Sequence, residues 1–129
     1  MAFRTNKPIE SITTVGISGT VTGSTSVGTT DPNMRFVAQF INVELTSLSG
    51  TLTIPPTISI GTNSTSYNNL LAGTALTGVN AANIVMQISA TALSSSVATG
   101  TGIFVNVTAA ATGVSLTYTM RVTVLGFYY

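Results

Sequence analysis

Apolar and polar residues alternate with a period of two along most of this chain, and most regularly in residues 115–129. There Leu116, Tyr118, Met120, Val122 and Val124 alternate with Ser115, Thr117, Thr119, Arg121 and Thr123. Such alternation gives a strand one apolar and one polar face, and Thr, Val and Tyr suit a pleated, half-buried surface. No polar tail follows this strand. A terminus frays unless something pins it, so Phe127, Tyr128 and Tyr129 are expected to pack against a neighbour. Much of the remaining chain is expected to pair with this strand.

Residues 12–22 predict a first strand, with Val15, Ile17 and Val21 on one face and Thr14, Ser18, Thr20 and Thr22 on the other. Gly16 and Gly19 weaken it and mark a bulge or a close backbone approach. Residues 23–32, GSTSVGTTDP, read as a loop. In residues 34–48 the alternation degrades, because Phe36, Val37, Ala38, Phe40, Ile41, Val43 and Leu45 place apolar groups on both faces. A strand apolar on both faces is covered on both. With no long amphipathic helix to do the covering, the second cover is expected to be another subunit, contacted by Phe36 and Phe40. Arg35 and Glu44 lie in the same stretch and are expected to pair, since burying either charge alone is costly.

The turn SLSG at residues 47–50 predicts a hairpin into residues 51–60. Pro55 and Pro56 cannot donate to a ladder, so this segment is an edge strand or two short strands meeting at a corner. Residues 61–66 read as a loop, and YNNLLAG at 67–73 predicts one or two helical turns stopped by Gly73. Ile84, Met86, Ile88 and Ala90 alternate with Asn83, Gln87 and Ser89, giving another half-buried strand. Residues 94–102 form a flexible connection. Ile103, Val105 and Val107 then alternate with Asn106 and Thr108, and residues 109–113 turn into the last strand. About six to eight strands with at most one short helix predict an all-β antiparallel sandwich or barrel.

Residues 1–11 stand apart, since they hold Arg4, Lys7 and Glu10, with Phe3 and Pro8 between them. They read either as a disordered leader or as an extended arm lying on a neighbouring subunit, anchored by Phe3 and oriented by Arg4 and Lys7. The domain proper is residues 12–129. Charged residues make up only 5% of the chain, against about a quarter in ordinary soluble domains. Mean hydropathy is +0.51, yet no apolar run approaches the roughly 18 residues of a spanning helix, and no membrane partner is expected. Four scattered cations supply too few phosphate contacts for nucleic acid to be the main ligand. So apolar a chain with a net charge of +1 tends to associate, so the protein is expected to be soluble as an assembly of copies.

The chemical inventory is sparse. His, Cys and Trp are absent, and the acids are Glu10, Asp31 and Glu44 alone. Paired-carboxylate catalysis needs two acids roughly 5–9 Å apart, and these three fall in a leader, a loop and a strand. No serine sits in G-x-S-x-G. No catalytic residue, metal site or cofactor is therefore assigned. Asp31-Pro32-Asn33 reads as a turn rather than a Ca²⁺ site. Tyr67 with Asn68 and Asn69 is the one exposed-looking aromatic and amide cluster, and the place to look for glycan contact.

The apolar stretch at 34–48, TLTIPPTISIGTNSTSYNNLL at 51–71 and the closing SLTYTMRVTVLGFYY together resemble small virion proteins of tailed bacteriophages. They are similar in pattern and composition to jelly-roll or β-sandwich head decoration (cement) proteins. The resemblance implies a structural, non-enzymatic protein on the capsid surface. It implies a homo-oligomer, a trimer, sitting on the major capsid protein, with residues 1–11 as the attaching arm. A virion component made in the cytoplasm and released by lysis also reconciles the Thr/Ser/Gly-rich composition with an N-terminus lacking the apolar core of a secretory signal. Two alternatives stand beside it: a tail or fibre module that binds a receptor or glycan, and a non-viral shell or surface-layer subunit.

Overall fold

The computed structural model describes residues 9–89 and 96–129. Its spine is an antiparallel pair of long strands distant in sequence, β3 (Phe36–Ile54) and β9 (Thr112–Tyr128), in register from Phe36↔Tyr128 to Ile54↔Thr112. The other strands are β1 (Glu10–Ser18), β2 (Gly23–Thr29), β4 (Thr57–Gly61), β5 (Leu71–Ala75), β6 (Val85–Ser89), β7 (Ser96–Val97) and β8 (Gly102–Ala109). Pairing is nested: β1 with β9, β2 with β8, β3 with β6 and β7, and β4 with β5. The chain is thus one long hairpin with its tip between β4 and β5, rolled into two sheets. The first sheet runs β1-β9-β3-β6, with β7 also on β3, and the second runs β2-β8-β4-β5. That winding is a jelly roll, the expected all-β sandwich.

The two inner faces meet in a single core. Ile41, Val43, Leu45, Tyr118, Met120, Val122 and Val124 come from the first sheet, and Ile58, Ile60, Ile103, Val105 and Val107 from the second. The alternation seen in residues 116–124 therefore did report the buried face of β9. Tyr118 is fully enclosed and donates its hydroxyl hydrogen to the Val79 carbonyl at 2.7 Å. Burial pushes its phenol up to about 12 from the usual 10.0.

Several local expectations are corrected. β2 lies where a loop was expected, because Gly23–Thr29 pairs with β8 although only Val27 of it is buried. A strand so polar carries almost no hydrophobic signal. The chain does not turn at residues 47–50. β3 continues through Gly50 to Ile54, since β9 supplies partners beyond the turn-like residues. Gly50 has φ +79, and a Cβ there would overlap the Ser115 carbonyl oxygen, so this position requires glycine. Pro55 and Pro56 form the corner at which the chain leaves β3 in the first sheet for β4 in the second. The predicted helical turns at 67–73 are absent. Leu70 donates to the Ile60 carbonyl and Leu71 opens β5 on the edge of β4, so core burial of both leucines overrides local propensity. Val21 is 64% exposed rather than inward, because β1 ends at Ser18.

Candidate interaction surface

The double-sided apolar pattern of β3 has a local cause. Ala38 pairs with Gly126 and Phe40 with Leu125, leaving Gln39 as an extra residue in a bulge. An inserted residue inverts which side chains point inward. Phe36 and Ala38 before the bulge, and Ile41, Val43 and Leu45 after it, thus all enter the core. Only Val37 and Phe40 of that run are left for the outer face. Phe36 is completely buried against the Tyr128 ring, with centroids 5.0 Å apart; its side chain serves the interior of its own subunit.

What remains outside is a small apolar patch at one end of the first sheet. Val37 is in register with Phe127 and Phe40 with Leu125. All four are partly exposed, Phe40 most at 37%. Along the same face the composition turns polar: Asn42 aligns with Thr123 and Gln87, then Glu44 with Arg121 and Val85. Thr13 and Thr123 share a hydroxyl–hydroxyl hydrogen bond. Arg121 donates to Glu44 Oε1 at 2.9 Å. Glu44 therefore pairs with Arg121 and not with Arg35, whose Nε donates to Ser96 Oγ at 3.1 Å. The second sheet is different in chemistry. Its strands carry no charged residue, and Ser24, Ser26, Asn106 and Thr108 dominate its outer positions. Its one outward aromatic, Phe104, is covered by the Tyr67 ring at 4.8 Å.

The final residues are pinned within their own subunit. Tyr129 and Arg35 exchange backbone hydrogen bonds of 2.9 and 3.0 Å, and the Asp31 N–H donates to the Tyr128 hydroxyl at 3.2 Å. Tyr129 also shares a hydrogen bond with Ser96 Oγ at 3.0 Å. That contact, then one from Arg35, holds its hydroxyl below the ordinary phenol range. Phe127 and Tyr129 lie on the outer side, Tyr129 at 51% exposure, while Tyr128 turns in against Phe36. Glu10 and Ser11, assigned to the arm by the sequence, are the first two residues of β1, and Glu10 is exposed beside Gly126. Phe3, Arg4 and Lys7 lie outside the described residues.

The amide cluster near Tyr67 is occupied by its own loop. Asn69 Oδ1 accepts from the Thr62 N–H at 2.7 Å, Asn63 Oδ1 from the Asn68 N–H at 2.9 Å, and Asn63 Nδ2 donates to Asn68 Oδ1 at 2.8 Å. These groups tie the hairpin tip together. No group of three or more His, Cys, Asp or Glu side chains able to hold a metal ion occurs among the described residues.

The bulge at Gln39, which sets the patch, has no residue-type signature in the sequence, and so the patch was not legible there. Val37 was missed for that reason, whereas Leu125 follows from the alternation of β9 itself, Val124 being buried and Leu125 partly exposed. A search for a break of period two between Ala38 and Ile41 is the signal that finds Val37 and Phe40 on β3.

No family model and no curated protein matches the chain. Two solved structures share its fold over nearly its whole length. A chain from the capsid asymmetric unit of cyanophage Pam1 superposes with a TM-score of 0.62 at 16% identity, covering 98% of this chain and 89% of that one. A chain from the capsid of Ralstonia phage GP4 gives a TM-score of 0.58 at 18% identity, covering 95% and 84% respectively. At such identities the likeness establishes a common fold: this chain is an all-β jelly roll of the kind found in two phage capsids.

Proposed function

We propose that this protein is a structural component of a phage virion, a head decoration (cement) protein on the capsid surface. Copies of the chain associate, as a trimer, and rest on the major capsid protein. The observation that carries this reading is the end-to-end match to chains of two phage capsids, 98% and 95% of this chain being covered. The chemistry agrees with a mechanical role. The first sheet offers an apolar end and one ion pair, and the second offers a neutral hydroxyl and amide face suited to water. Apolar burial yields about 25 cal/mol per Å², so a modest contact repeated at symmetry-related sites stiffens a shell without any reaction. The residues that precede β1 contribute an arm that lies on a neighbouring subunit.

The test is to ask for the protein in purified phage particles. Proteomic analysis of gradient-purified heads should find it at a copy number that is a simple multiple of the shell symmetry. Purified protein should rebind stripped heads and raise their resistance to heat. Its absence from intact particles, or its recovery only with detached tails, would overturn the proposal.

A further inference from the structure

An exposed strand edge presents backbone N–H and C=O groups with which another strand can pair, and bulges or very short strands keep such an edge from pairing. Most edges of this sandwich are interrupted in that way. β1 carries an extra residue between Thr14 and Ile17, β2 one between Ser26 and Gly28, and β5 one between Leu71 and Thr74. β7 is two residues long. The part of β3 that runs on past β6 shifts register after Leu45, Ser49 and Leu52. β6 is the exception among the described residues. Val85–Ser89 is five residues long, an ordinary strand length. It follows β3 from Glu44 to Phe40 with no shift of register and contains no charged residue, proline or glycine.

The unpaired groups of this edge can be named. The Leu45 N–H donates to the Ile84 carbonyl at 3.0 Å, so Leu45, Val43 and Ile41 turn their backbone groups towards β6. Antiparallel neighbours alternate between bonded and unbonded pairs. Met86 and Ile88 are therefore bonded to β3, while Val85, Gln87 and Ser89 point their N–H and C=O groups away from it. No strand lies beyond them among the described residues. Their side chains are exposed, whereas Met86 and Ile88 are partly buried against the core.

We propose that this edge pairs with the same edge of a second copy, antiparallel about a two-fold axis through Gln87. Gln87 then faces its own counterpart, and Val85 faces Ser89 of the other copy, so all three outward residues form bonded pairs. The occupant is a second copy because the edge is complementary to itself. The same operation sets Met86 beside Ile88 of the other copy, so the partly exposed apolar flanks of two cores cover each other. Neither strand carries a charge to repel its twin. The contact is isologous and cannot close a three-fold ring, so it joins copies of neighbouring trimers. That placement rests on the trimer reading above, whereas the pairing itself does not.

The chain has no cysteine, so introduced ones report a single contact. Cα atoms of a bonded antiparallel pair lie about 5.5 Å apart, within the roughly 4.4–6.8 Å that a disulfide spans. Concentrated full-length protein with Gln87→Cys, mildly oxidised, should form a disulfide-linked dimer at least ten-fold faster than protein with Ser24→Cys, an exposed site on the other sheet. Val85→Cys and Ser89→Cys proteins should link when mixed, and each alone only at the control rate. Gln87→Pro added to both should return the mixture to the control rate with circular dichroism unchanged, because that N–H bonds nothing within the subunit. Gln87→Cys protein that links no faster than the control overturns the proposal. So does Val85→Cys protein that links to itself as fast as to Ser89→Cys, or Gln87→Cys protein that links on phage heads to a shell protein in place of its own kind. Linking in solution by protein that fails to bind heads sinks the decoration role and leaves this contact standing.

Discussion

Glu44 on β3 and Arg121 on β9 face each other across the ladder and meet at 2.9 Å, with 28% and 47% of their side chains exposed. This is the one ion pair among the described residues, and it lies on the outer face. Its strength is limited by solvent. Exposed pairs contribute about 0.2–1 kcal/mol and are screened by salt. A double-mutant cycle with Glu44→Gln and Arg121→Gln should give a coupling in that range in chemical denaturation, shrinking towards zero at 1 M salt. A coupling of several kcal/mol would mean that the pair is covered by another molecule under the conditions of measurement.

The bulge at Gln39 decides which face of β3 is apolar. Deleting Gln39 would remove one polar residue and no apolar one, but invert Phe36, Val37 and Ala38 relative to Ile41, Val43 and Leu45. Burying Val37 while expelling Phe36 is expected to abolish cooperative unfolding. Gln39→Ala keeps the count of residues and should change stability by no more than about 0.5 kcal/mol. Circular dichroism melts of the two variants separate a register effect from a side-chain effect.

Gly126 is in register with Ala38 beside that bulge, and a Cβ on it would overlap the Val37 carbonyl oxygen and come within 2.8 Å of the Phe36 ring. The two strands approach as closely as they do only because no side chain stands there. Gly126→Ala should cost roughly 1–3 kcal/mol, read as a lower denaturation midpoint with an unchanged slope. An unaffected midpoint would show that β3 and β9 can separate locally without loss.

Tyr118→Phe leaves the Val79 carbonyl without its 2.7 Å partner and should destabilise by about 1–2 kcal/mol. The pH dependence has a definite sign. The folded phenol titrates at about 12 and the unfolded one at about 10.0. Above pH 10 the unfolded chain sheds a proton that the folded chain retains, so alkali favours unfolding. Stability from this group is complete below pH 10 and falls by about 1.4 kcal/mol per pH unit from there to about 12. Tyr118→Phe should remove that part of the alkaline slope, and an identical slope in both proteins would assign it elsewhere.

Phe40 lies on the outer face and is 37% exposed, so Phe40→Asp should leave the subunit folded while breaking self-association. Size and shape by light scattering, with circular dichroism as the control for folding, decide it. A normal oligomer would remove the patch from any interface.

The core face of β9 was legible because its residues obey period two without interruption from Leu116 to Val124. The same was true of β6 and β8, whose inward residues Met86, Ile88, Ile103, Val105 and Val107 were all marked by alternation. β2 escaped notice because an edge strand held by one neighbour and burying one Val needs no apolar stripe. The fate of Leu70 and Leu71 depended on a strand edge ten residues back, which no local window contains. Of the expected interaction residues, the structure leaves Phe40 and Phe127 on an outer face and turns Phe36 inward, and the two are separated by a bulge that composition does not announce.

By itself, then, the amino-acid order determined the class of fold: alternation of Thr and Ser with Val, Ile and Leu leaves a chain no stable choice but half-buried sheets. It also determined that little chemistry is available, since side chains that are absent cannot be supplied by folding. Tertiary structure alone decided the nesting of strands, the partner of Glu44 and which aromatics stand outside. Those depend on pairings between residues more than a hundred apart and on a one-residue slip in register, and the free energy that selects them comes from packing two faces together, which exists only once both are formed.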